Sequence, residues 1–243
     1  MLLDAIAPRR CAGCDALAAG ALCEPCVERL LDLPLPPPRP EPYGASRAAF
    51  SYAGPVRHAV WRGKYRGDRR ALSALAAVGA ERLGPALLAT GAPSAVVAVP
   101  LGSRRRRERG YNQADIVARQ LARLVPAVPV LAGLRRIRET PPQVGRGAAE
   151  RRRNLAGAFG WSGPPLRGTV WLADDVVTTG STFAAAAAAL QRGGAVRIEA
   201  VAAGFAPAGS PTEWPGIVAG AEPPAMPGVA TRHARIPSGR QEW

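Results

Sequence analysis

Aromatic residues make up only 5% of the chain, which argues against recognition by broad aromatic stacking platforms. Long apolar runs are missing as well. The longest, Phe183–Leu190, has eight residues, against the roughly 20 that a membrane span needs. The opening Met-Leu-Leu-Asp-Ala-Ile-Ala-Pro-Arg-Arg has no basic segment before its apolar residues and no small-residue cleavage site. An exported or membrane protein is therefore not expected, and a cytoplasmic one is. Lysine is nearly absent: of 32 basic residues only Lys64 is a lysine. So many arginines beside abundant alanine and glycine look like a GC-rich coding bias, so the net charge of +14 says less than its distribution.

That distribution is uneven. Residues 104–153 hold fourteen arginines against Glu108, Asp115, Glu139 and Glu150, a net of +10 in one fifth of the chain. Such a local field attracts phosphates, whether of a nucleic acid or of a small anionic substrate. Solvated arginine-rich faces would give the same count. The four cysteines are just as localised, as Cys11-x2-Cys14-x8-Cys23-x2-Cys26. Two tandem Cys-x-x-Cys knuckles supply four thiolates to one tetrahedral zinc, with Gly13 and Gly20 for the sharp turns. Disulfides would suit an exported chain, and no export signal is seen. Four thiolates leave no open position, so the zinc is expected to be structural.

Six prolines between Pro34 and Pro42 exclude a helix or a central strand and read as a stiff linker over 34–43, separating a cysteine module (1–33) from a larger domain (44–205). From 206 to 243, scattered Pro, Gly and Ser without periodicity suggest a weakly ordered tail. Within 44–205, strand-like and helix-like segments alternate. Strands are expected at Ala48–Tyr52, Ala95–Val99, Val128–Leu131, Thr169–Ala173 and Val196–Ala203. Helices are expected at Pro55–Tyr65, Arg70–Leu88, Asn112–Leu124 and Phe183–Arg192. The alternation predicts an α/β fold: a doubly wound, mostly parallel sheet.

The segment Val170–Thr182 carries the chemistry. A buried strand runs into Asp174-Asp175, then Val176-Val177, then Thr178-Thr179-Gly180-Ser181-Thr182 at the start of a helix. Ligands of open α/β sheets sit at the carboxyl ends of strands. A helix N-terminus offers free N–H groups to phosphate, the hydroxyls add donors, and Gly180 lets the backbone approach closely. Two carboxylates beside a phosphate cradle would repel its occupant, so their natural partners are sugar hydroxyls. A phosphate next to a vicinal diol describes a ribose 5-phosphate. The plainer alternative, a turn in which Asp175 and Ser181 merely cap a helix, explains one or two residues and leaves the rest to chance.

Residues 170–182 resemble the phosphoribosyl pyrophosphate signature of type I phosphoribosyltransferases. Further motifs narrow the resemblance to the ComF family: Lys64-Tyr65-x-Gly67-Asp68, Val99-Pro100-Leu101 leading into Arg104-Arg105-x-Arg107-Glu108-Arg109-Gly110-Tyr111-Asn112-Gln113, Arg138-x-Thr140-x-x-Gln143, and Glu150-Arg151-Arg152-Arg153-Asn154-x-x-Gly157-Ala158-Phe159. With the cysteine module, the similarity covers about residues 8–205. It implies a phosphoribosyltransferase domain behind a small zinc ribbon, in a family associated with DNA uptake during competence. The chain departs from the pattern at Gly102-Ser103, where His-Pro is expected, and at Arg106, Arg146 and the tail.

Two functions follow. In the first, a transferase moves phosphoribose from its pyrophosphate donor to a nitrogen acceptor. Asp174 and Asp175 would be the catalytic pair, gripping ribose hydroxyls near the developing positive charge, while Thr178–Thr182 would anchor the 5-phosphate. Pro100, Leu101, Arg104, Arg105 and Lys64 would meet the pyrophosphate, with Mg²⁺ neutralising it, and Thr140–Gly147 would form a lid. In the second, a non-catalytic competence factor uses the same pocket as a ligand sensor and binds single-stranded DNA.

Overall fold

In a computed structural model of the chain, the described residues are 10–138 and 153–207. The expected lid at Thr140–Gly147, most of the motifs from Arg138 to Arg153, and all but Ala206 and Pro207 of the expected tail lie outside them. Six strands form the main sheet: β1 (Arg39–Glu41), β2 (Gly44–Ser51), β3 (Ala95–Ala98), β4 (Val130–Leu131), β7 (Thr169–Val177) and β8 (Arg197–Phe205). Their spatial order is β1-β2-β8-β7-β3-β4, with every neighbouring pair parallel except β1 with β2. The expected α/β class and mostly parallel sheet are thus observed. The longer helices among the described residues are α1 (Glu24–Asp32), α2 (Gly54–Tyr65), α3 (Arg69–Leu88), α4 (Ser103–Arg109), α5 (Gln113–Ala122) and α6 (Ser181–Arg192).

Period-2 alternation along β7 explains how the sheet is covered on both faces. Val170 and Leu172 pack with Phe183, Ala186 and Leu190 of α6 in one apolar cluster. Trp171 and Ala173 face the other way, among Leu72, Leu75, Leu83 and Leu87 of α3, Val117 and Leu121 of α5, and Val56 and Val60 of α2. Helix α3 is also long and apolar enough to cross a membrane by composition, with a mean hydropathy of 1.3 over its best window, yet half of that window is buried in the molecule. Its apolarity is that of a core helix.

Three elements go beyond the sequence expectation. The proline-rich stretch is not wholly a spacer, because Arg39–Glu41 pair antiparallel with Gly44–Ser46. Pro40 is tolerated there because β1 is an edge strand and a missing donor can face outward. A separate two-stranded sheet pairs β5 (Leu134–Arg136) with β6 (Phe159–Trp161) and covers the α6 side through buried Leu134 and Phe159. Three-residue strands leave no periodicity to read. Finally, the arginine run over Ser103–Arg109 is helical and ends at Gly110, whose φ of +70° a side-chain-bearing residue rarely adopts.

The cysteine segment is packed onto the α/β core. Ala12 and Leu30 belong to the same apolar cluster as Phe50 and Leu75. Arg82 of α3 donates to the carbonyls of Leu30 at 2.9 Å and Ala49 at 3.1 Å, and also to that of Leu33, while its guanidinium lies over the Phe50 ring. One side chain thereby ties the carbonyl end of α1 to α3 and β2, a favourable place for a cation.

Candidate functional site

The chain leaves β7 for α6 on one face of the sheet and leaves β3 for α4 and α5 on the other. The carboxyl ends of β7 and β3, adjacent in the sheet, are therefore a topological switch point, where the connections diverge and open a crevice. Val99 N–H donates to the Ala173 carbonyl at 2.9 Å, so the turn Pro100–Leu101 starts beside Asp174. Residues 75 positions apart in sequence are joined here by the strand pairing Ala98 with Ala173.

Asp174 and Asp175 occupy successive positions of β7, so the alternation that sorts the core sends their side chains to opposite faces. Asp175 meets Lys64 from the end of α2, Nζ to Oδ2 at 3.1 Å, with only 9% and 11% of the two side chains exposed. Asp174 Oδ1 accepts the Asp175 N–H at 2.8 Å. Burial, and then the neighbouring charge of Asp175, push the Asp174 carboxyl up to about 8. The Asp175 N–H, Lys64 and Arg109 only partly offset them. A buried carboxyl held in this way beside a second acid makes Asp174 a candidate site residue.

Beyond β7, Gly180 has φ +76° and ψ 0° and caps α6, whose first turn contains no acidic residue and no side-chain cap. The Ser181 N–H reaches Thr179 Oγ1 at 3.5 Å, and the next N–H groups of the turn are left for another acceptor. Thr179 Oγ1 and Ser181 Oγ are hydrogen-bonded at 2.7 Å, and Thr182 follows in the first turn of the helix. Arg39 of β1 donates through Nη1 to the Thr178 carbonyl at 3.1 Å and fixes the loop from outside.

The crevice thus gathers Lys64, Asp174, Asp175 and the 178–182 loop, with Pro100 and Leu101 at its edge. It does not gather Arg104, which lies on the exposed face of α4 in an (i, i+4) pair with Glu108 at 2.9 Å. Arg105 is likewise an exposed position of α4. The arginine whose charge reaches Asp174 is Arg109, half-buried at the end of that helix, which donates to Gln113 Oε1 at 3.2 Å and lies over the Tyr65 ring. Tyr52 also belongs to this neighbourhood, since burial and then the charge of Asp175 raise its hydroxyl. Sequence reasoning passed over Arg109, Tyr52 and Arg39. Only the position of Arg109 in Arg107-Glu108-Arg109-Gly110 carried a signal, the glycine that ends the helix and turns the chain back.

The four cysteines come together as expected. Their Sγ atoms lie within 4.8 Å of one another, and Cys14 and Cys23 are 3.7 Å apart. Thiolates at about 2.3 Å from a tetrahedral zinc stand just under 4 Å apart, so the cluster fits that ion. Cys11 Sγ accepts N–H groups from Gly13 at 3.3 Å and Cys23 at 3.2 Å. Against the opposing effect of burial, these backbone donors hold its thiol down to about 7, the thiolate a metal needs. Arg62 of α2 reaches back to this module, donating to the Cys11 carbonyl at 3.2 Å while pairing with Asp68 at 2.7 Å.

Fold and site together define a class: a doubly wound α/β domain with an acidic pair and a hydroxyl-rich loop at its switch point, bearing a four-cysteine module. No family profile matches the chain. It is 33% identical over 163 residues to DNA utilization protein YhgH of Salmonella typhi, covering 66% of this chain and 72% of that protein. Competence protein F of Haemophilus influenzae is 41% identical over 95 residues, 37% of this chain and 41% of the relative. The YhgH protein of Escherichia coli (strain K12) is 38% identical over 107 residues, 44% of this chain and 47% of its own length. The chain belongs to the ComF family, which includes these competence and DNA utilization proteins.

Proposed function

We propose that the chain binds phosphoribosyl pyrophosphate and transfers its phosphoribose to a nitrogen acceptor, in the DNA-utilization setting that the names of its relatives indicate. The observation that carries the reading is the pairing of Asp174 and Asp175 with the 178–182 loop at one switch point. Thr178, Thr179, Ser181, Thr182 and the first N–H groups of α6 hold the 5-phosphate, away from the reacting carbon, so their binding energy serves to position the sugar. Asp174 and Asp175 accept the ribose hydroxyls and face the positive charge that develops at C1. As the bond from C1 to the pyrophosphate oxygen breaks and a C1–N bond forms, Lys64 and Arg109 face the departing anion. The acceptor proton leaves to water or to that anion.

Two carboxylates, with no third acidic, cysteine or histidine donor gathered beside them among the described residues, are too few for an all-protein cation cage. They suit Mg²⁺ held mainly by substrate oxygens, which would supply charge neutralisation to the leaving group. Release of pyrophosphate from the donor, measured across a panel of nitrogenous acceptors, tests the transferase reading. Release with one acceptor, abolished in Asp174→Asn/Asp175→Asn, supports it. Tight donor binding without turnover favours the sensor instead.

A second reading, a non-catalytic ligand sensor that binds single-stranded DNA, is favoured by the surface beside the crevice. Arg69 lies over the half-buried Tyr111 at 4.6 Å and Arg109 over the half-buried Tyr65 at 5.6 Å. Arg104 to Arg107 stand exposed on α4. Interleaved guanidinium and aromatic groups suit a single-stranded polynucleotide. Both readings share the donor pocket and a soluble, intracellular setting.

A further inference from the structure

A cavity of about 80 Å³ lies beside the ends of β7 and β8, and neither Asp174 nor Asp175 lines it. Pro36 and Pro37, the segment leading into β1, form one wall, and Ala48, Val177 and Phe205 form others. The remaining wall residues are Arg39, Ser46 and Arg47. The cavity is thus apolar around most of its surface, with the Arg39 guanidinium and the Ser46 hydroxyl at one side. Phe205 sits at the end of β8 with the Arg39 guanidinium 5.9 Å from its ring centre.

These polar groups are under-used by the protein itself. The Ser46 hydroxyl is buried, with the residue 3% exposed, and has no hydrogen-bond partner among the described residues. A buried hydroxyl left unsatisfied is costly to a protein that has no use for it. Arg47 turns to the opposite face of β2, where it donates through Nε to the fully buried Glu199 at 3.2 Å, which Arg197 shares at 2.8 Å. Arg39 has no carboxylate partner among the described residues and spends one N–H on the Thr178 carbonyl.

We propose that this cavity is a binding site for a small organic carboxylate carrying a short apolar group. Surplus guanidinium donors and a hydroxyl match a carboxylate, for which the planar guanidinium fork is well suited. The predominantly apolar wall matches a hydrocarbon tail and disfavours a fully hydrated inorganic dianion, which would leave most of its oxygens facing carbon. Arg39 borders the cavity and also holds Thr178, so the occupant lies one side chain away from the anion cradle. The site is independent of the phosphoribosyl reading, because it needs neither Asp174 nor the donor.

Calorimetric titration of the full chain with butyrate, in the absence of any phosphoribosyl compound, tests it, with butyramide and inorganic phosphate in parallel. Saturable butyrate binding is expected, with none for butyramide. Arg39→Gln removes a charge that is in no ion pair, so the fold should hold, and it should weaken butyrate at least about tenfold, as loss of a charge-assisted contact does. Ala48→Val, which fills the cavity without touching a charge, should abolish binding, and circular dichroism should show both variants folded. Lack of saturable butyrate binding to folded wild type, equal affinity in both variants, equal affinity for butyramide, or tighter binding of inorganic phosphate would each overturn the proposal.

Discussion

Lys64 and Asp175 form an ion pair almost sealed from water, so removing either charge alone is the costly change. Lys64→Met leaves an uncompensated buried carboxylate and should destabilise the free protein by about 3 kcal/mol in urea unfolding. Lys64→Met with Asp175→Asn should recover most of that loss; an equal loss in the double variant would mean that the pair is not coupled. Asp174 makes the opposite kind of contribution. Its carboxyl is raised from an ordinary value of 3.8 to about 8. The stability it allows is therefore fully present below pH 4 and is lost as pH rises through 8, because the unfolded chain then holds fewer protons than the folded one. Thermal unfolding followed from pH 5 to pH 9 should fall more steeply in wild type than in Asp174→Asn. Identical slopes would show that Asp174 ionises freely in the crevice.

Among the elements, the loop between β7 and α6 and the cysteine module are the most exposed to test. Gly180 combines a φ of +76° with a position 3.4 Å, measured from where a Cβ would sit, from the Glu41 carboxylate. Gly180→Ala should cost about 1–2 kcal/mol in unfolding and distort the cradle, so phosphate-bearing ligands should weaken even where the fold persists. For the cysteine module, purified reduced protein should contain one equivalent of zinc by elemental analysis, and chelation should loosen residues 10–33 while the sheet remains folded. Both elements were legible in sequence for physical reasons. The Asp-Asp, hydroxyl and glycine order over 174–182 permits few structures, and cysteines at fixed spacing need no tertiary context. The helices α2, α3, α5 and α6 and strands β3, β7 and β8 were also readable, because apolar periodicity records the faces they bury. Strand β1, the β5–β6 pair and helix α4 were not. Pro40 hides an edge strand, three-residue strands carry no period, and Ser103–Arg109 has no apolar face. Nor could spacing show that Arg109, rather than Arg104, faces the acidic pair, since that depends on how α4 ends at Gly110.

At the scale of the whole molecule, the charge of +14 and the crevice have to be separated. If arginines on α4 and around Tyr65 and Tyr111 carry single-stranded DNA, affinity should fall steeply with salt through counterion release, and Arg104→Gln/Arg107→Gln should lower the salt slope without altering donor affinity. Absence of binding even at low salt would remove the DNA-contacting reading while leaving the crevice untouched. The central claim is that the crevice holds a phosphoribosyl group through its two carboxylates. Calorimetry with phosphoribosyl pyrophosphate and Mg²⁺, on wild type and on Asp174→Asn/Asp175→Asn, tests it most directly. Charge-assisted hydrogen bonds to the Asp175 carboxylate are worth roughly 1.5–3 kcal/mol, and Asp174, raised to about 8, adds neutral ones below that pH, so the double variant should bind the donor well over tenfold more weakly. The loss of the Asp175 charge beside Lys64 lowers its stability, and circular dichroism should show it folded at the titration temperature. Equal affinity in the two proteins would contradict the assignment of Asp174 and Asp175 to the ribose.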